Sequence, residues 1–182
     1  MRAAIVPAVN SSWEVKDVAQ PQPGPNQVLV KMHASGICYT DVHQTLGNFP
    51  GPFPRILGHE PVGEVVAVAP DVTTRKVGDR VGTAWIQSTC GRCEWCQRGR
   101  RMFCPNMKAT GVDTQGGHAE YMPMNANATY LIPDKVSYEQ AARMSSSALP
   151  IRRSPWWTAF RDCGRTADLS RWAPTQTRFL FP

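Results

Sequence analysis

Four of the six cysteines, Cys90, Cys93, Cys96 and Cys104, fall in one short segment with the spacing C-x2-C-x2-C-x7-C. Two-residue gaps let neighbouring thiolates turn inward onto one small ion, and zinc accepts four soft ligands in a tetrahedron. Gly91 and Gly99 stand where such a loop must bend. Arg92, Arg98, Arg100 and Arg101 are placed to offset part of the thiolate charge. Disulfides are the competing use of these cysteines, but a reducing compartment disfavours them. A redox pair needs two cysteines at a helix start, not four. The expectation is a closed structural zinc site in a lobe over about residues 88–106. Such a site stabilises a fold and offers no open position for chemistry.

Cys38 and the neighbours His59 and Glu60 form a second set of soft, borderline and hard ligands. Three protein ligands plus water is the pattern of a catalytic zinc. By residue type alone, Cys38 could equally be buried packing and His59 a hydrogen-bonded core or surface histidine.

The elements that must position these groups read as strands and turns. Val28, Val30 and Met32 alternate with Leu29 and Lys31, which predicts a strand over 27–33. Pro21, Pro23, Gly24 and Pro25 form a rigid, turn-rich lead-in. Further strands are expected over 62–68, 81–86 and 118–122, the last after the turn at Gly116 and Gly117. Residues 35–47 carry helical potential, with Asp41 in an early turn. No internal repeat is visible. The expected fold is mainly β with short helices, a partly open β-barrel with long loops.

The chain has 182 residues, with 16 Pro and 14 Gly, which disfavours a long-helix bundle. At 42% hydrophobic and 19% charged residues, bulk disorder is not expected. No run approaches the roughly 18 apolar residues of a membrane span. The opening stretch, Met1 to Val9, is too short for a signal peptide, so a cytoplasmic setting is expected. The net charge of +6 is unevenly spread. Residues 1–142 hold 13 basic and 12 acidic side chains, whereas residues 143–182 hold seven Arg against two Asp. The nearly neutral body gives no nucleic-acid footprint. The last segment also carries Trp156, Trp157 and Trp172. Aromatics interleaved with Arg can stack on bases, but no amphipathic period or motif accompanies them.

Five motifs in order supply a resemblance. GHEPVG at 58–63, with Ala69 and Val72, fits G-H-E-x2-G-x5-[GA]-x2-[IV]. GICYTDVH at 36–43 is similar to G-x-C-[HR]-[ST]-D-x-H. The four-cysteine lobe, KVGDRV at 76–81 and GHAEY at 117–121 complete the set. Together they resemble the GroES-like N-terminal domain of the zinc-containing alcohol dehydrogenases, medium-chain dehydrogenases, over about residues 1–142.

The resemblance implies that Cys38 and His59 are catalytic-zinc ligands, with Glu60 able to approach the metal. It makes Asp41 the carboxylate that orients the ligand histidine. It makes Thr40 the hydroxyl that bonds the substrate oxygen and His43 the end of a proton relay. Tyr39 stands where the family places His or Arg against the cofactor pyrophosphate. Phe49 and Trp85 stand where aromatics narrow the substrate pocket, or they are ordinary packing. The implied chemistry is oxidation of a small alcohol to an aldehyde, with hydride passing to NAD or NADP. Zinc assists by lowering the pKa of the bound alcohol.

The chain departs from the family after residue 142. Ser146 stands where a third zinc-ligand cysteine is expected, and Cys163 comes too late in the chain to be an obvious substitute. No G-x-G-x-x-G follows a strand, and the stretch 143–182 is too short to build a doubly wound sheet. A truncated chain is therefore expected, with a missing Rossmann domain and a poorly ordered, non-family tail over 143–182. Catalytic zinc should be weak or absent and activity of the isolated chain low. The alternative is a non-catalytic zinc-binding module of the same fold. Substrate identity, the choice between NAD and NADP, and oligomeric state are not encoded in these motifs.

Overall fold

The computed structural model describes residues 1–49 and 51–143. In chain order the strands are β1 (Arg2–Val6), β2 (Glu14–Asp17), β3 (Gln27–Gly36), β4 (Arg55–Ile56) and β5 (Glu60–Val68). They continue as β6 (Arg80–Gly82), β7 (Ile86–Ser88), β8 (Lys108–Ala109), β9 (Tyr121–Asn125) and β10 (Tyr130–Leu131). The helices are α1 (Tyr39–Thr45), α2 (Glu94–Gln97) and α3 (Tyr138–Ala142). The fold is mainly β with short helices, as the turn-rich sequence predicts. Among the described residues no helix is long and apolar enough to cross a membrane.

An open sheet of five strands, in the order β10-β6-β5-β3-β9, carries the main core. Val28, Val30 and Met32, the alternating residues of β3, pack with Val65, Val81, Met122 and Met124. A three-stranded sheet in the order β2-β1-β4 lies beside it. Residues 116–120 join the two. Gly116 N donates to Ile56 O (2.8 Å), Glu120 N to Arg2 O (3.0 Å) and Met32 N to Glu120 O (2.9 Å). One segment thus serves strands of both sheets, which gives the partly open barrel its seam.

Three elements differ from the sequence reading. The helix is shorter than 35–47, because Ser35 and Gly36 stay paired to Pro61 and Glu60 at the end of β3. The run 81–86 is two strands, not one. Thr83 N makes the last bond to the large sheet, to Pro61 O at 3.1 Å, and beyond it the chain turns away so that Ile86 pairs with Ala109 in the separate β7–β8 pair. The strand expected over 118–122 begins at Tyr121, because residues 116–120 form the seam. The tail, with Ser146 and Cys163, lies outside the described residues.

Helix α3 closes the described part of the chain. Ser137 caps it reciprocally with Gln140. Ala141 and Ala142 then pack on Ala34 and Val62. Tyr138 stacks on His33 (centroids 4.3 Å apart, 8° between planes) under the Arg80 guanidinium, 4.5 Å from its ring.

Candidate functional site

The two-stranded β7–β8 pair closes the base of the cysteine lobe. Cys90 follows β7, Cys93 precedes α2 as its N-cap, Cys96 lies in α2, and Cys104 follows a single 3-10 turn. Gly91 and Gly99 adopt φ of +71° and +73°, the bends expected of them. The four sulfurs lie within 4.8 Å of one another, with Cys90 and Cys104 3.7 Å apart. Ligands about 2.3 Å from a central zinc in a tetrahedron are about 3.8 Å from each other. The sulfur constellation therefore fits the ion. The thiols also cannot all ionise together without a cation. Hydrogen bonds from the amides of Arg92 and Cys93 pull the Cys90 thiol down to about 6. At Cys93 the amide of Cys96 pulls the same way, but burial and the neighbouring thiols push it up to about 11. Arg98 pairs with Glu94 at 2.7 Å.

The second set also converges. Cys38 sits in the turn between β3 and α1, and His59 and Glu60 stand at the start of β5. Because β3 and β5 are antiparallel, with Gly36 opposite Glu60, both ligand segments meet at one sheet edge. One donor atom from each of Cys38, His59 and Glu60 lies within 4.8 Å of the others, and all three residues are buried. Burial holds the His59 pKa below 6.5, with Asp41 opposing and His118 assisting, which favours the neutral, metal-binding imidazole. A thiol, a neutral imidazole and a carboxyl on one side of a point form the donor set of an open zinc site.

Around this cluster the other sequence-predicted residues take different places. Thr40 Oγ1 lies 3.6 Å from Cys38 Sγ. His43, one turn on along α1, has Nδ1 3.0 Å from Asn48 Nδ2 on the exposed side. Trp85 meets the His59 ring edge-on at 5.3 Å, and Phe49 lies 6.5 Å from Trp85. Trp85 thus packs on the cluster, and Phe49 stands behind it against Trp85 and His43. Tyr39 is 66% exposed and packs edge-on against His43. Asp41 is fully buried, and its nearest imidazole is not that of His59. Its Oδ2 accepts from Cys38 N (2.9 Å) and lies 3.6 Å from His118 Nε2, while Oδ1 accepts from Gly58 N (3.1 Å). Burial alone would raise the Asp41 pKa. His118, the Cys38 amide and His59 outweigh it and hold the carboxyl below 3.8. Sequence reasoning did not single out His118 or Trp13, whose ring centroids lie 5.4 Å apart. The only signal was the GHAEY motif, whose histidine had no partner in the linear sequence.

A partly open barrel that brings a four-cysteine lobe and a separate Cys-His-Glu cluster onto one scaffold defines a zinc-binding domain of the dehydrogenase type. Residues 24–134 match the alcohol dehydrogenase GroES-like domain. Among curated relatives, an alcohol dehydrogenase of Geobacillus stearothermophilus is 41% identical over 144 residues, covering 78% of this chain and 43% of the relative. A solved NAD-dependent alcohol dehydrogenase superimposes with a TM-score of 0.72 at 34% identity, over 78% of this chain and 42% of that one. The cobalt- and zinc-bound thermostable alcohol dehydrogenase of Pyrobaculum aerophilum gives 0.74 at 29% identity, over 80% and 44%. The chain belongs to the zinc-containing alcohol dehydrogenase family, oxidoreductases of the medium-chain type, and spans about two-fifths of the length of these relatives.

Proposed function

We propose that this chain is the metal-holding, alcohol-binding part of an NAD(P)-dependent alcohol dehydrogenase, acting on a primary alcohol or its aldehyde. The observation that carries this reading is the convergence of Cys38, His59 and Glu60, with Trp85 edge-on to His59 and Phe49 next to Trp85. Residues 1–142 are the functional unit and 143–182 an appended, non-family segment. Cys90, Cys93, Cys96 and Cys104 hold a structural zinc; Cys38, His59 and Glu60 hold the second ion. A zinc bound there acts as a Lewis acid that makes an alcohol easier to deprotonate. The protein's own groups do the rest. Phe49 and Trp85 favour a small apolar carbon chain and keep water away from it. The Thr40 hydroxyl, 3.6 Å from the Cys38 sulfur, can accept a substrate proton and pass it on. His43 stands on the next turn, beside solvent, where an imidazole can release that proton. Tyr39 faces outward as a contact for the cofactor.

The test is a steady-state assay of the 182-residue polypeptide with NAD+ or NADP+ and primary alcohols, alongside zinc analysis. Hydride transfer needs the nicotinamide held about 3–3.5 Å from the reacting carbon. No dinucleotide-binding glycine motif is present in the 182 residues to hold it there. We expect background turnover, one tightly held zinc in the lobe and a second that exchanges quickly. Turnover abolished by His59→Ala would show that the polypeptide holds its own cofactor. One zinc, with no metal affinity at Cys38, would favour the non-catalytic zinc-binding module instead.

A further inference from the structure

We propose that His118 is a positioning residue for the Cys38–His59–Glu60 cluster, holding the Asp41 carboxylate that clamps both ligand segments. The inference rests on the metal reading above and names a residue that reading does not use. One carboxylate accepts from the amide of Cys38 and from the amide of Gly58, the residue before His59. The backbone of both ligand segments is therefore fixed to a single side chain. That side chain is fully buried, so its orientation depends on what stands behind it.

What stands behind it is the His118 imidazole, itself 8% exposed. Its backbone is locked into the seam, His118 N donating to Leu57 O (3.0 Å) and Ala4 N to His118 O (2.8 Å). Its ring lies against Gly58, where a Cβ would come within 2.8 Å of Cε1 and Nδ1. Trp13 covers the ring and is tethered in turn. Its Nε1 donates to Thr45 Oγ1 (2.9 Å), and that hydroxyl donates to the Asp41 carbonyl (2.8 Å). The ring is thus held between Gly58 and Trp13, with Nε2 facing Asp41 Oδ2 at 3.6 Å. Among the described residues His118 Nε2 makes no hydrogen bond. With its proton on Nε2 the ring aims an N–H at the buried Asp41 carboxylate, an attraction that an apolar ring filling the same place would not supply. Closing the 3.6 Å gap by about half an ångström makes a hydrogen bond.

The test separates the N–H from the ring. The full chain, its lobe filled with zinc, is titrated with Co(II). The thiolate-to-cobalt absorption that Cys38→Ser abolishes reports the cluster. Amide exchange of Cys38 and Gly58 is followed in the same chain without cobalt. His118→Phe keeps an aromatic ring against Gly58 and Trp13 and removes the donor. We expect its cobalt affinity at the cluster to fall about 10- to 100-fold, the range for partners of metal ligands. Exchange at both amides should rise about tenfold, the thermal midpoint staying near wild type. His118→Gln, which can return an N–H toward Asp41, should recover most of both signals. Should the Phe variant not fold, His118→Leu takes its place in the comparison. A Phe variant indistinguishable from wild type, or a Gln variant as impaired as Phe, overturns the proposal. If wild type shows no Cys38-dependent cobalt signal but His118→Phe still loosens the two amides, the clamp stands and the metal reading fails.

Discussion

Gly36→Ala isolates the contact on which the cluster's carboxylate depends. Gly36 ends β3 directly opposite Glu60, and its φ lies outside the left-handed region, so alanine meets no backbone strain there. The difficulty is space. A Cβ at position 36 would collide with Glu60 Oε2, and would lie 3.0 Å from Glu60 Cβ and 3.1 Å from the Ala142 carbonyl. Glu60 is 1% exposed, so its carboxylate has no open volume to enter. It must shift to reach ordinary contact, which disturbs its place beside Cys38 and His59. Overpacking of this kind costs about 1–3 kcal/mol, and lost freedom of the unfolded chain returns about 0.4–1 kcal/mol. The net of about 1–2 kcal/mol lowers the thermal midpoint by roughly 3–7 °C for a domain of this size. Scanning calorimetry reads it, with Gly24→Ala as control, where the Cβ meets only the end of the Gln27 side chain at 3.2 Å. Because the clash is with Glu60, Gly36→Ala combined with Glu60→Ala should be more stable than the two single effects sum to. Strict additivity, or an unchanged midpoint for Gly36→Ala, refutes the reasoning.

Other outcomes follow from the same geometry. Cys104→Ala should lose the lobe's zinc and raise hydrogen exchange over 88–106 while the five-stranded sheet keeps its protection, since the lobe rests on its own β7–β8 pair. Zinc loading near neutral pH should release protons to an indicator dye, because Cys93, pushed up to about 11, still carries one. Burial holds both His33 and His59 below 6.5. Their neutral forms therefore favour the metal-free fold above pH 6.5, and that contribution is lost as pH falls through the lower folded values; His33→Gln should flatten the pH dependence of the thermal midpoint there. Tyr138→Ala removes the stack on His33 and the contact with Arg80, and should cost about 1–3 kcal/mol and free α3, read as faster exchange at Ala141.

What the sequence made legible was whatever is local or periodic. The C-x2-C-x2-C-x7-C spacing shows the lobe because the ligands are neighbours in the chain. The alternation of Val28, Val30 and Met32 shows β3 because a pleat repeats every two residues. Phe49 and Trp85 emerged through the resemblance alone, since an aromatic at a pocket and an aromatic in a core look the same in a sequence. The boundaries failed where tertiary pairing decides them. Nothing in residues 81–86 says that the ladder stops at Gly82 and that Ile86 belongs to another sheet. Nothing in residues 116–120 says that this stretch serves two sheets at once.

The cluster itself shows why one half of a site can be legible and the other hidden. Cys38 and His59 lie just beyond the end of one ladder, whose last pair is Gly36 opposite Glu60, and that single antiparallel register is enough to join them. Any chain that forms the β3–β5 pair brings the ligands together, so short motifs beside the two strands suffice to mark them. Asp41 and His118 lie far apart in the chain and meet only because the seam carries His118 past β4 and β1 to the back of Gly58. That meeting depends on the closure of the barrel, not on one pair of strands. Loosening the seam should therefore disturb the orientation of the ligands before it disturbs their proximity. Cys38 and His59 would remain neighbours while the amides that Asp41 holds lose their common anchor.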